Sequence, residues 1–264
     1  TQVTGRRVWD SRGRPTVEAE VTLAGGAIGR AIAPAGASRG SQEAIDLRDG
    51  DSADSPLEEL GGFGRFGVSR AVQAVKTEIA DSLHGLDATH QESVDATLIA
   101  LDGTPNKARL GGNATIAVSM AMLHAAAQAA GLPVWRMLAG DNAVRLPLPE
   151  IQILGGGAHA GRRIDIQDCM VMPLGAESFD EAAFMTAEIY AAAGLLMAKS
   201  DRLAGVADEG GWWPVFDSNE EALEMLVRAI EAAGYIPGDQ VGISLDIAAS
   251  EFGSAAGYTL GLEQ

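Results

Sequence analysis

The sequence predicts a chain of mixed α/β class, with an α+β unit over residues 1–140 followed by an alternating α/β unit over residues 141–264. Three observations carry this. Residues 7–33 run in short stretches of strand character with turn residues between them, the pattern of an antiparallel meander. Residues 68–131 place apolar side chains at helical spacing, so strands precede helices. From residue 148 onward, strand-like runs and long helical stripes take turns, as in a parallel sheet that is either open or closed into a barrel.

Taken in order, Arg7-Val8-Trp9 reads as strand and Asp10 to Pro15 as a turn. Thr16 to Leu23 alternates, with Val17, Ala19, Val21 and Leu23 on one face and Thr16, Glu18, Glu20 and Thr22 on the other, a half-buried strand. Gly25-Gly26 suits a hairpin turn, and Ala27 to Ala33 returns as the next strand. Pro34 to Ala44 is a loop of small residues that can fold over a ligand. The run Asp46–Asp54 is acidic and reads as solvated. Val68, Ala71, Val72, Val75 and Ile79 mark one helix, and residues 90–101 a second. A third starts at Asn113 as N-cap and stops at Gly131, with Met120 and Met122 in the core. Asn113-Ala114-Thr115 matches a glycosylation acceptor but reads as a helix cap. His84, His90 and His124 read as structural or exposed.

In the second unit, residues 141–149 form a linker, and Leu148–Leu154 and Ile164–Met172 are candidate strands. Ser178 with Glu181, and Ser218 with Glu221, are capping boxes opening helices that reach about Lys199 and Gly234. Leu203–Ala207 and Val241–Asp246 are strands.

Composition narrows the function. A chain of 264 residues that is 47% hydrophobic can bury one large core or two modest ones. A net charge of −17 argues against nucleic-acid or anionic-membrane partners, while bound cations would still admit an anionic small substrate. Cys169 is the single cysteine, which excludes an internal disulfide and points to a reducing, cytoplasmic compartment. No apolar run is read as approaching transmembrane length, and there is no internal repeat and no visible signal peptide. The first residue is Thr1, so a short N-terminal piece is expected to be missing.

The stretch Gly205–Pro214 is the focus: a short apolar run leads into Asp208-Glu209, then Gly210-Gly211, Trp212-Trp213 and Pro214. Glycines admit close backbone approach or positive φ. Aromatic walls that hold a carboxylate partly out of water favour its protonated form and suit it to general-acid work. Two more segments repeat the pattern, Ile164-Asp165-Ile166-Gln167-Asp168 and Ser244-Leu245-Asp246. Carboxylates at strand ends suit a hard cation such as Mg²⁺, and barrel enzymes gather their catalytic groups at those ends. His159 joins them from the glycine-rich loop Leu154–His159. Spacing alone thus points to a Mg²⁺-dependent enzyme with an acidic site, without naming its substrate.

These residues also resemble the enolases. The resemblance runs from about Arg7 to the end of the sequence. Its first segments are Asp10-Ser11-Arg12-Gly13, Gly36-Ala37-Ser38, Glu43-Ala44 and Leu47 to Asp51. Leu101 to Lys107, Gly156 to Ala160, Asp208 to Gly211, Leu245-Asp246 and Ala249 to Phe252 continue it. It implies an N-terminal α+β domain followed by a variant TIM-type barrel that opens with extra antiparallel strands, of which this sequence holds only the first half. It implies Mg²⁺-dependent dehydration of 2-phospho-D-glycerate to phosphoenolpyruvate, two Mg²⁺ sites, a small anionic phosphorylated substrate and a homodimer. Carried over by position, Glu209 is the acid that assists hydroxide departure, and Asp168 is a catalytic partner supporting the site with Gln167. His159 and Gln167 line the substrate pocket, Asp246 ligates the tightly held Mg²⁺, and Ser38 reaches the second on loop closure.

Several positions depart from the family pattern. Asp168 stands where Glu is usual, Gly155 where Asn is usual, Gln42 for a His, Arg39 for a small residue, and Trp212-Trp213 for a smaller pair. They leave room for an enolase-like dehydratase acting on a related phosphonate or carboxylated substrate, or for a non-catalytic scaffold. The family's lysine base and further metal carboxylates fall after the region matched, so a longer chain is expected, the alternatives being a second polypeptide that completes the barrel or a non-catalytic remnant; Lys107 and Lys199 match no base position and read as surface groups.

Overall fold

The computed structural model describes residues 1–51 and 66–263, and the chain divides into two units. The first unit comprises Thr1–Gly36 and Gln42–Val144; the second comprises Ala37–Ser41 and Arg145–Gln264.

The first unit opens with the expected meander. Strands β1 (Gln2–Trp9), β2 (Pro15–Thr22) and β3 (Ile28–Ile32) pair antiparallel in that order. β1 starts five residues earlier than Arg7 suggested, because its whole length pairs with β2, from Gln2 opposite Thr22 to Trp9 opposite Pro15. Val17, Ala19 and Val21 are fully buried, as their alternation predicts. Thr16, assigned to the polar face, is also buried; its hydroxyl donates to the Ala33 carbonyl at 2.8 Å. Helix α1 (Ser69–Ala74) continues through a π-helical turn (Val75–Ile79) into α2 (Ala80–Leu83). Of its predicted stripe, Val68, Ala71, Val75 and Ile79 are fully buried, and Val72 is partly buried against the same core. Helices α3 (Gln91–Asp102), α4 (Gly112–Ala130) and α5 (Val134–Ala139) complete the unit.

Three local expectations give way to tertiary contacts. The acidic run is not solvated where it is described: Leu47, Arg48 and Asp49 are buried, and its residues beyond 51 lie outside the described residues. The Asp49 carboxylate caps α1 from a distance, accepting from the backbone of Ser69 at 2.8 Å and Arg70 at 2.9 Å. Asn113 does not cap α4, since Gly111 holds that position; its buried amide instead accepts from Leu47 N–H at 3.3 Å and donates to Leu47 C=O at 3.1 Å. Met122 is buried, but Met120 is 42% exposed. His84, His90 and His124 are exposed, in keeping with the sequence reading.

Asp102 ends α3 inside the core. Its carboxylate accepts from the backbone N–H of Thr104 at 2.9 Å and Leu110 at 2.8 Å, and from the Thr104 hydroxyl. Burial pushes its carboxyl up, but these bonds and Lys107 outweigh burial and hold it below the usual carboxylate range. A lowered folded-state pKa stabilises fully above the unfolded value and is lost as pH falls through the folded one. We expect urea unfolding midpoints to drop between about pH 5 and about pH 2, and Asp102→Asn to flatten that drop while costing about 1–3 kcal/mol at neutral pH. An unchanged acid slope in Asp102→Asn would contradict this.

The second unit is built on one five-stranded sheet. Its strands are β4 (Ile151–Gly155), β5 (Asp168–Met172), β6 (Leu203–Val206), β7 (Trp212–Pro214) and β8 (Gly242–Asp246), ordered β6-β7-β4-β5-β8. A small hairpin, β9 (Gly253–Ser254) with β10 (Gly257–Tyr258), follows. The sheet is open, with β6 and β8 at its edges.

The expectation of a parallel sheet fails for three of its pairings. β4–β5, β5–β8 and β6–β7 are antiparallel; only β4–β7 is parallel. Alternation in sequence sets no strand direction where no helix intervenes. β4 and β5 are joined by the loop of residues 156–167, so β5 returns against β4. β6 and β7 form a hairpin, so Trp212-Trp213 belongs to a strand rather than to a loop.

Helices α6 (Phe179–Lys199) and α7 (Asn219–Ala232) supply the rest of this core. Both start as predicted: Ser178 Oγ accepts from Glu181 N–H at 3.1 Å, and Ser218 Oγ from Glu221 N–H at 3.2 Å. The reciprocal bonds go one residue further back than in a standard capping box, from Glu177 N–H to Glu181 and from Asp217 N–H to Glu221. Met185, Ile189, Ala193 and Met197 of α6 and Met225, Leu226, Ala229 and Ile230 of α7 pack with Ile153, Cys169 and Val171. By length and composition alone α6 could cross a membrane, contrary to the sequence reading. Part of its apolar surface is the stripe buried in this core, while Phe179, Phe184 and Leu195 remain exposed.

Candidate functional site

The site begins with the register of three strands. Asp168 of β5 sits opposite Gly155 of β4 on one side and Asp246 of β8 on the other. Side chains of directly opposed residues share a face, so Asp168 and Asp246 are brought together by pairing alone. Neither is in hydrogen-bond contact with the other; the Gln167 amide lies between them. Its Nε2 donates to Asp168 Oδ2 at 3.3 Å and to Asp246 Oδ2 at 3.4 Å. The other oxygen of Asp246 accepts from Ala248 N–H at 2.9 Å.

His159 comes from a 3₁₀ turn (Gly157–His159) in the β4–β5 loop and is buried. Its Nε2 lies 4.0 Å from Asp168 Oδ1 and 3.7 Å from Glu209 Oε1. One ligand atom each from His159, Asp168 and Glu209 can be chosen so that all lie within 4.8 Å of one another. The structure therefore gathers five of the six predicted site residues: His159, Gln167, Asp168, Glu209 and Asp246. Ser38 lies half-buried in the 34–44 loop, in the short segment Ala37–Ser41 that groups with the second unit.

Glu209 occupies the tip of the β6–β7 hairpin. Ala207 N–H donates to Gly211 C=O at 2.8 Å and Gly210 N–H to Ala207 C=O at 3.0 Å, which closes a tight turn. Gly210 has φ +97°, a conformation that strains any residue with a Cβ. Two side chains hold this turn. Tyr190 Oη donates to Gly210 C=O at 2.8 Å, and Gln152 Oε1 accepts from Gly211 N–H at 2.8 Å. The aromatic pair does not wall Glu209, as the sequence suggested. Trp212 stacks on Tyr190 with centroids 4.5 Å apart, donates to the Tyr190 carbonyl and packs at Gly194, while Trp213 lies against Gly161. The Glu209 side chain is 52% exposed, so its charged neighbourhood, not burial, defines its setting.

Asp165 leaves the candidate set. The predicted strand Ile164–Met172 begins only at Asp168, and Asp165 sits in the preceding loop. Its carboxylate accepts from Asn219 Nδ2 at 2.9 Å, Gly261 N–H at 2.8 Å and Leu262 N–H at 3.2 Å. Burial pushes the Asp165 carboxyl up, and these three bonds more than reverse that, leaving it below the usual range. It is a structural pin. Cys169, beside Asp168, is also structural: burial, then the Asp168 charge, push its thiol up to about 12, so it stays protonated.

The donor set suits a hard divalent cation. Three carboxylates, Asp168, Glu209 and Asp246, converge there with the Gln167 amide and the His159 imidazole. Two buried polar atoms there, Gln167 Oε1 and His159 Nδ1, have no hydrogen-bond partner. Buried polar atoms are normally paired, and an ion, water or substrate would supply what these lack.

Sequence reasoning missed Gln152 and Tyr190. Gln152 carried a signal, being the lone polar residue in the run Ile151 to Leu154. Tyr190 carried none, since an aromatic on an alanine-rich helix reads as packing.

Two family models match the chain. One, described as the enolase N-terminal domain, matches residues 1–138. The other, described as the enolase C-terminal TIM barrel domain, matches residues 143–264.

Proposed function

The chain belongs to the enolase family, and from that membership we propose that it dehydrates 2-phospho-D-glycerate to phosphoenolpyruvate with Mg²⁺. Membership supports a dehydratase in general; the particular substrate is our reading. The observation that carries it is the convergence of His159, Asp168 and Glu209 within 4.8 Å, flanked by Asp246.

In this reaction a proton leaves the carbon α to the substrate carboxylate, and the hydroxyl on the next carbon departs as water. Enolase-superfamily enzymes remove that proton with a Lys or His base. Asp246 would hold one Mg²⁺, and Ser38 would contribute to a second. Bound Mg²⁺ supplies positive charge against the negative charge that develops on the substrate. Glu209 would deliver a proton to the departing hydroxyl from an exposed turn whose backbone is held at Gly210 and Gly211. His159, beneath it, would bind the leaving group or the phosphate, and Gln167 would keep the two aspartates apart. Closure of the 34–44 loop would exclude water from the site. The same membership favours a homodimer, and the single buried cysteine suits a reducing, cytoplasmic setting.

A second reading, dehydration of a related phosphonate or carboxylated substrate, is favoured by Asp168. It is one methylene shorter than the family's usual Glu, and its Oδ1 accepts from the Gln152 amide. The deciding assay follows product formation from 2-phosphoglycerate with Mg²⁺, then with the metal chelated. We expect turnover that disappears on chelation. Turnover of a phosphonate or carboxylated analogue alone would select the second reading. Absence of both turnover and substrate-coupled Mg²⁺ binding by calorimetry would leave a non-catalytic scaffold.

A further inference from the structure

We propose that Gln152 is a positioning residue that sets the separation between the Asp168 carboxylate and the turn carrying Glu209. This deepens the dehydratase reading and rests on it for its catalytic consequence.

The placement of Gln152 depends on a bulge. Gln152 pairs with Met170 and Leu154 with Cys169, so Ile153 is an extra residue in β4. Met170 and Asp168 lie on one face of β5, and the bulge turns Gln152 onto that face. An unbroken register would put Gln152 and Gly155 on opposite faces, with Gln152 away from Asp168.

Both ends of the Gln152 amide are used. Nε2 donates to Asp168 Oδ1, and Oε1 accepts from Gly211 N–H at 2.8 Å. Asp168 and Gly211 are both buried, so water cannot readily replace either bond. The surroundings are cut to fit. A Cβ at Gly211 would lie 2.4 Å from Gln152 Oε1, and one at Gly155 would lie 2.4 Å from the Ala207 Cβ and 3.5 Å from both amide atoms. The glycine at 155, where the family pattern has Asn, is thus the space into which Ala207 and the amide pack.

This arrangement explains how a short carboxylate serves at 168. Gln152 is long enough to hold Asp168 and still reach Gly211, so strand and hairpin keep a fixed spacing. Asp168→Glu alone would drive a longer carboxylate into that amide. Paired with Gln152→Asn, it moves one methylene from one side of the contact to the other.

The test is a double-mutant cycle in the full chain, using Gln152→Asn, Asp168→Glu and the pair. Two readouts are followed: amide hydrogen exchange at Gly211, and kcat with KM on whichever substrate the protein turns over. Each single change should speed Gly211 exchange about tenfold or more and lower kcat about 10- to 100-fold with a smaller effect on KM. The pair should recover most of both. Gln152→Met, similar in length, should lose Gly211 protection without unfolding the chain, which covers the case of a single variant that fails to fold. Gly211 exchange that ignores Asp168→Glu, or losses that merely add in the pair, would overturn the proposal even if wild-type dehydratase activity is found. Rescue of exchange in a protein without turnover would uphold the spacing role and overturn the dehydratase reading instead.

Discussion

Glu209→Gln is expected to lower kcat for dehydration by about 10²- to 10⁴-fold, the usual worth of a general acid. The substitution keeps the shape of the side chain and removes its transferable proton. It should leave stability within about 0.5 kcal/mol, because the side chain is 52% exposed at a hairpin tip. KM should change little, since His159 and the aspartates remain in place. The turn itself is fixed by Gln152 and Tyr190 through backbone groups, not through Glu209, so its geometry should survive. Steady-state kinetics beside thermal unfolding decide the matter. A variant that keeps more than about a tenth of wild-type kcat would mean that the leaving group takes its proton from elsewhere.

The second large effect is on metal binding. Asp246→Asn is expected to weaken Mg²⁺ binding by at least about tenfold, measured by calorimetry without substrate so that the result does not depend on turnover. Asn retains one oxygen that can accept from Ala248 N–H, as Asp246 Oδ1 does at 2.9 Å. It loses the negative charge and turns a second donor toward the Gln167 amide, which now donates to Asp246 at 3.4 Å. Fold and secondary structure should be preserved. Unchanged Mg²⁺ affinity would remove Asp246 from the ligand set and return the role to His159, Asp168 and Glu209.

The legible parts of this chain were those where local chemistry fixes local conformation. Ser178 and Ser218 could be read as helix starts because a hydroxyl at that place satisfies an N–H that the helix leaves open. The glycines after Asp208-Glu209 could be read as a place of unusual backbone because glycine admits positive φ, and Gly210 takes φ +97°. His159, Glu209 and Asp246 could be carried over by position because they lie in the enolase-like segments, whereas Gln167 and Asp168 lie outside those segments and Asp168 departs from the family's usual Glu. The misreadings share a different cause. Asn113 looked like a cap and Asp165 like a site carboxylate, but each found a partner distant in sequence, Leu47 in one case and Asn219 with Gly261 and Leu262 in the other.

The sequence by itself determined most of the strands and helices, the α+β then α/β order, and Asp168, Glu209 and Asp246 of the acidic cluster, since periodicity, caps and glycines act over a few residues. The tertiary structure alone decided the strand order and register of the second unit's sheet, the bulge at Ile153, the amide of Gln152 between Asp168 and Gly211, and the exposure of Glu209. Those depend on which strand pairs with which and in what register. One residue of slip would send every side chain to the opposite face, and no short stretch of sequence carries that information.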